Sequence, residues 1–93
     1  MKLEEAVRNV QQDCEKCYAN LIQKHGKLNI TGCHDYGAFW GFAVTIGGTV
    51  PMGGIASIRK DSGDFFLFNP VTDWKTYHAG KAVDISAFLQ DDQ

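Results

Sequence analysis

The chain has 93 residues, 44% hydrophobic and 12% aromatic, with nine Lys and Arg against eleven Asp and Glu for a net charge of −2. A chain of this size holds one core, so residues 1–93 are expected to fold as a single domain rather than persist as a disordered tail. The balanced charge argues against nucleic acid as a partner, which calls for a basic stripe, and against a polybasic membrane-surface patch.

The N-terminal Met1-Lys2-Leu3-Glu4-Glu5 turns acidic at once, and no stretch approaches the ~18 consecutive apolar residues of a membrane span, so neither a signal peptide nor a span is expected. Cysteines stand at 14, 17 and 33. An odd count without a secretion signal suits free thiols in a reducing cytoplasm.

Residues 3–25 predict an amphipathic helix. Leu3, Val7, Val10, Cys14, Cys17 and Leu21 alternate steps of four and three, with Ala6, Tyr18 and Ile22 widening the stripe. Gly26 is a plausible stop. Beyond it the period changes to two. Leu28 and Ile30 suggest a short strand, and Asp35-Tyr36-Gly37 a turn. The strongest strand signal follows, with Trp40, Phe42, Val44 and Ile46 alternating with Phe39, Gly41, Ala43 and Thr45. Residues 47–54 (GGTVPMGG) read as a loop, because four glycines and a proline interrupt a ladder. Residues 55–60 and 65–68 form a hairpin around Asp61-Ser62-Gly63-Asp64, with Gly63 supplying the positive φ. Residues 71–78 read as a helical turn or irregular crossing with Trp74 and Tyr77 inward. Asp84 is the expected cap of a short terminal helix over 85–90. The resulting class is α+β: a long N-terminal helix packed on an antiparallel sheet of about four strands, with a short C-terminal helix.

Between Leu28 and Ile58 the only charged residue is Asp35. Part of this region must be the sheet face that a long helix covers. An uncharged glycine loop is harder to place in a core, and exposed loops often carry recognition.

Four constellations invite a chemical reading. Cys14-Glu15-Lys16-Cys17 is a C-x-x-C, but it lies mid-helix on the apolar seam, where two small core residues are the simpler account. Cys33 and His34 could complete a zinc set with Cys14 and Cys17 only if they sit in a turn, since neighbours on a strand point to opposite faces. No catalytic context surrounds a Cys33–His78 or Cys17–His25 pairing. His34 reads as a turn residue and His78 as surface. The glycine loop lacks both the Lys-Ser/Thr of a P-loop and a dinucleotide fingerprint. No cofactor, metal ligand or catalytic residue is therefore assigned, and a non-enzymatic chain is expected. A small thiol- or metal-dependent protein using Cys14, Cys17 and Cys33 is the alternative.

The run Ala56-Ser57-Ile58-Arg59-Lys60-Asp61-Ser62-Gly63-Asp64-Phe65 resembles the strand and Lys-Asp-x-Gly-acidic hairpin of the YrhB-type immunity-protein family (immunity protein 35). That family is similar in length and in its order of amphipathic helix, aromatic strand (here Ala38-Phe39-Trp40-Gly41-Phe42), hairpin and short terminal segment. The 47–54 loop and the His34-Asp35-Tyr36 turn depart from the pattern. The resemblance implies a bacterial cytoplasmic protein that occludes a toxin domain by binding it, or a small stabilising chaperone-like protein, with no catalytic residues to carry over. Separately from the resemblance, either a monomer or a homodimer is expected, the dimer as a structural subunit joined through an open sheet edge. Candidate contacts are Tyr36, Trp40, Met52, Trp74 and Tyr77, because aromatics and Met are enriched at interface centres, with Asp73 as an anchor for a basic partner. For Trp40 the core is the competing place.

Overall fold

A computed structural model describes residues 1–89. Helix α1 spans Leu3–Cys17, and a second short helix, α2, spans Ala19–His25. Strands β1 (Leu28–Asp35), β2 (Phe39–Ile46), β3 (Ile55–Arg59) and β4 (Phe65–Phe68) follow, then helix α3 (Trp74–Ala79), strand β5 (Lys81–Val83) and a 3-10 turn at Ser86–Phe88. The fold is α+β. The sheet has five strands, not four, in the order β4-β3-β2-β1-β5, antiparallel throughout.

The expected single helix is two. At Tyr18 the backbone leaves helical geometry (φ −110°, ψ 24°), yet the Tyr18 N–H still donates to the Cys14 carbonyl at 2.8 Å and the Tyr18 carbonyl accepts from Ile22 at 2.9 Å. The apolar seam runs Ala6, Val7, Val10, Cys14 and then Tyr18, all buried, while Cys17 is exposed. A step of three turns about 60° short of a full revolution, and a step of four overshoots by only about 40°, so Tyr18 rather than Cys17 stays over the sheet. The inward placement expected of Cys17 is therefore corrected. At the N-terminus the Glu5 carboxylate accepts from the Lys2 N–H at 3.0 Å, which occupies one of the donors a helix start leaves free.

The helix-covered face follows from period two and register. Trp40 lies opposite Ile58 and Asp35, Phe42 opposite Ala56 and Cys33, Val44 opposite Ile30 and Ile46 opposite Leu28. These side chains, Asp35 apart, form one core with α1 and Ile85. Trp40 belongs to it at 9% exposure, so its place is the core. Lys60 closes this end of the core: its Nζ lies 2.8 Å from Asp35 Oδ1 and 5.1 Å from the centre of the Trp40 ring. The single charge of the 28–58 stretch thus ties the β1–β2 hairpin to the β3–β4 hairpin. Donation from Lys60, then from the Gly37 N–H at 2.8 Å, holds the Asp35 carboxyl below its ordinary range.

The terminal helix is a single 3-10 turn, with Asp84 Oδ1 accepting from the Ser86 N–H at 2.9 Å. Gln90, the expected last residue of that helix, lies outside the described residues.

Candidate functional site

The opposite face of the sheet carries the alternate positions: Phe39, Gly41, Ala43 and Thr45 of β2, His34 of β1, Ile55 and Ser57 of β3, and Phe66 and Phe68 of β4. No long helix covers it. Instead an aromatic cluster forms around Tyr36, whose ring centre lies 5.2 Å from Phe39, 5.4 Å from Phe68, 6.1 Å from His34 and 6.4 Å from Tyr77. Phe66 meets Phe39 edge-on at 5.0 Å, and the Arg59 guanidinium lies 4.7 Å over Phe66. Ring pairs of this kind contribute about 0.5–1.5 kcal/mol each beyond their buried area.

Tyr36 reaches this position because the β1–β2 hairpin turns immediately after it. Its N–H donates to the Phe39 carbonyl at 3.0 Å, and Gly37 takes the corner at φ 91°. The ring then needs room on two sides. A Cβ on Gly41 would stand 2.6 Å from Tyr36 Cε2, and a Cβ on Gly80 would collide with Tyr36 Cε1. The glycine of β2 at 41 thus admits a tyrosine from the neighbouring turn.

Helix α3 lies along the same face. Asp73 caps it, accepting from Thr76 N–H at 3.3 Å and from Thr76 Oγ1 at 2.8 Å. Trp74 stands 5.9 Å from Tyr77 and 4.2 Å from His78 by ring centres. The expected inward placement of Trp74 and Tyr77 is not found: they are 59% and 38% exposed. Tyr77 spends one part of its ring on Tyr36 and leaves the rest in solvent.

Between α3 and the 47–54 loop lies an open groove of about 530 Å³. Its floor is Gly41, Ala43, Thr45 and Ile55, one wall is Tyr36, Tyr77, His78 and Gly80, and the other is Val50, Pro51 and Gly54. Among the described residues no Asp, Glu, Lys or Arg lines it. The loop begins as a tight turn, Ile46 and Thr49 exchanging hydrogen bonds at 2.8 and 3.0 Å. Gly47 packs so close under the His25 carbonyl that a Cβ there would overlap it. Beyond the turn, Val50 is exposed and Met52 is 89% exposed. Met52 borders a second recess of about 280 Å³ with Leu21, His25 and Thr49, so the two hollows share Val50 and Pro51 as their divide.

Of the six candidate contact residues, Tyr36, Trp74 and Tyr77 therefore come together, with Asp73 capping their helix and Met52 across the groove. Trp40 is separated from them by the sheet. Phe39, Phe66, Phe68, His34, His78 and Val50 belong to the same surface and were missed. The signal for the phenylalanines was present in Phe65-Phe66-Leu67-Phe68, where an unbroken apolar run implies contacts on both faces of a strand. His34 lies inside β1 rather than in a turn, and no local pattern announces that.

The thiols are distributed differently. Burial pushes Cys14 up to about 12, with the neighbouring Cys17, Asp13 and Glu15 adding to the effect. Burial likewise pushes Cys33 to about 12, with Asp35 adding to it. Cys33 is in the core while His34 lines the groove, so the sheet stands between that thiol and that imidazole. Among the described residues no three His, Cys, Asp or Glu side chains converge as a metal site, and no helix is long and apolar enough to cross a membrane. Comparison with protein-family models, with curated proteins and with solved structures finds no match to this chain.

Proposed function

We propose that this chain is a protein-binding domain that receives its partner on the aromatic face, and that it acts as an immunity-type protein, covering a toxin domain and so occluding it. The observation that carries the reading is the groove between α3 and the 47–54 loop, lined by no charged side chain among the described residues and bounded by exposed Val50 and Tyr77, with Trp74 exposed on the same helix and Met52 on the same loop. Solvent-facing aromatics and Met held on a rigid scaffold are the composition of interface centres, and an exposed apolar patch marks a binding surface more often than it is idle. The resemblance of the β3–β4 hairpin to the immunity family supplies the kind of partner. Protonated thiols at 14 and 33 argue against thiol chemistry at those two positions, since the thiolate is the reactive form.

The test is capture followed by a growth assay. Immobilised wild-type chain is expected to retain one protein from a lysate of the source organism, and a folded Trp74→Ala/Tyr77→Ala variant to release it. Expressed alone, that protein is expected to arrest growth, and co-expression of this chain to restore it. A partner held equally by both forms, or one without effect on growth, would overturn the reading.

A further inference from the structure

The sheet ends at β4 on one side and β5 on the other, and the two edges are unlike. Strand β5 has three residues and carries exposed Lys81, and both shortness and an edge lysine discourage strand addition. Strand β4 is Phe-Phe-Leu-Phe, and no charged residue stands between Asp64 and Asp73.

The direction of the main-chain groups on β4 follows from two hydrogen bonds. The Lys60 N–H donates to the Ala38 carbonyl at 3.0 Å, and the Arg59 N–H to the Asp64 carbonyl at 2.9 Å. Arg59 therefore presents its main chain to β4, and the alternation of an antiparallel ladder turns Phe66 and Phe68 toward β3. Phe65 and Leu67 then point their N–H and C=O groups away from the sheet, and no hydrogen bond among the described residues meets them there. The Leu67 side chain is 38% exposed, and the loop bearing Met52 runs beside it, with a Cβ at Gly53 falling 4.0 Å from Leu67 Cδ1.

We propose that β4 is a dimerisation edge that takes the β4 strand of a second copy, antiparallel, about a two-fold axis through Leu67. The sequence of the edge selects a copy of itself. A two-fold normal to the sheet keeps like faces together only if the pairing is centred on a residue. Centring on Leu67 joins its outward N–H and C=O to those of the other Leu67, and sets Phe65 opposite Asn69. Phe66 then falls opposite Phe68 on the aromatic face, so the row Tyr36–Phe39–Phe66 continues into the second molecule. Asp64 falls opposite Pro70, so no like-charge pair forms across the axis. Centring on Phe66 would oppose groups already bonded to β3 and set Asp64 against Phe68. This inference stands apart from the groove and its partner.

A short ladder buries less than a standard interface, so assembly depends on concentration. The full chain is examined by sedimentation equilibrium between about 10 μM and about 1 mM. The mass is expected to rise from 10.3 kDa toward twice that value. Leu67→Lys, at an exposed position, is expected to weaken the dimer at least about tenfold by setting two ammonium groups across the axis, with an unchanged near-ultraviolet circular dichroism spectrum. Trp74→Ala/Tyr77→Ala is expected to leave the dimer intact. A chain monomeric at every concentration overturns the proposal, as does a dimer indifferent to Leu67→Lys and lost with Trp74 and Tyr77.

Discussion

On one face of the sheet Trp40, Phe42, Val44, Ile46 and Ile58 lie against Val7, Val10, Cys14 and Tyr18, aliphatic for the most part and all buried. On the other, Tyr36, Phe39, Phe66, Phe68 and Tyr77 meet ring to ring, and Trp74 and Tyr77 remain partly in solvent. Aliphatic packing is undirected and goes to completion, which leaves a face with nothing further to offer. Aromatic packing keeps ring edges and planes that another ring can still meet. The same strands thus build a covered aliphatic-rich face and a partly open aromatic face, distinguished by what lies over them: a fifteen-residue helix on the first, a six-residue helix on the second.

The largest effect that tests this contrast is truncation in the covered core. Phe42→Ala, at a side chain almost wholly buried, is expected to cost about 3–5 kcal/mol by urea unfolding, whereas Trp74→Ala costs under about 1 kcal/mol. Equal losses would erase the distinction between the faces. Next comes the alkaline limb. Cys14 and Cys33, both on the covered face, rise from an ordinary 9.0 to about 12. The fold holds them protonated, so their stabilisation is complete below pH 9 and is lost as pH climbs from 9 toward 12. The slope reaches up to about 1.4 kcal/mol per thiol per pH unit, and Cys14→Ala should remove its share of that slope in unfolding curves taken across the range.

A smaller change sharpens the aromatic side. Gly80→Ala places a methyl group against the Tyr36 ring and is expected to cost about 1–3 kcal/mol. Gly41→Ala displaces the same ring, so the double variant should fall short of the sum, and hydrogen exchange over α3 should report its loosening. The smallest effect is at Tyr18, whose hydroxyl is buried with no hydrogen-bond partner among the described residues. Tyr18→Phe is expected to be neutral or to stabilise by up to about 1 kcal/mol, read as the midpoint of thermal unfolding, because it deletes an unsatisfied group rather than a contact.

Much of the fold was legible wherever the cause is local. Helix α1 follows from its own period, and the β3–β4 hairpin from Asp61-Ser62-Gly63-Asp64, with Gly63 at φ 77°. Strand β2 follows from alternation. Strand β5 escaped notice because Lys-Ala-Val is too short to show a period. Cys17 escaped because a seam of threes and fours fits either Cys17 or Tyr18 until a sheet is set beneath it. Tyr36, Trp74 and Tyr77 of the open aromatic face were named from residue type alone, and Trp40 satisfied that criterion equally well from the other side of the sheet.

The amino-acid order by itself determined the class of fold, the turns and the presence of an uncharged aromatic segment, since each depends on neighbours within one or two turns of chain. Which side of the sheet each aromatic occupies was decided only by tertiary structure. Tyr36 is gripped between Gly41 and Gly80, and Phe39 meets Phe66 and Phe68, through strand register and the return of α3. A register shift of one residue would send every one of those rings to the opposite face, and no local pattern records that choice.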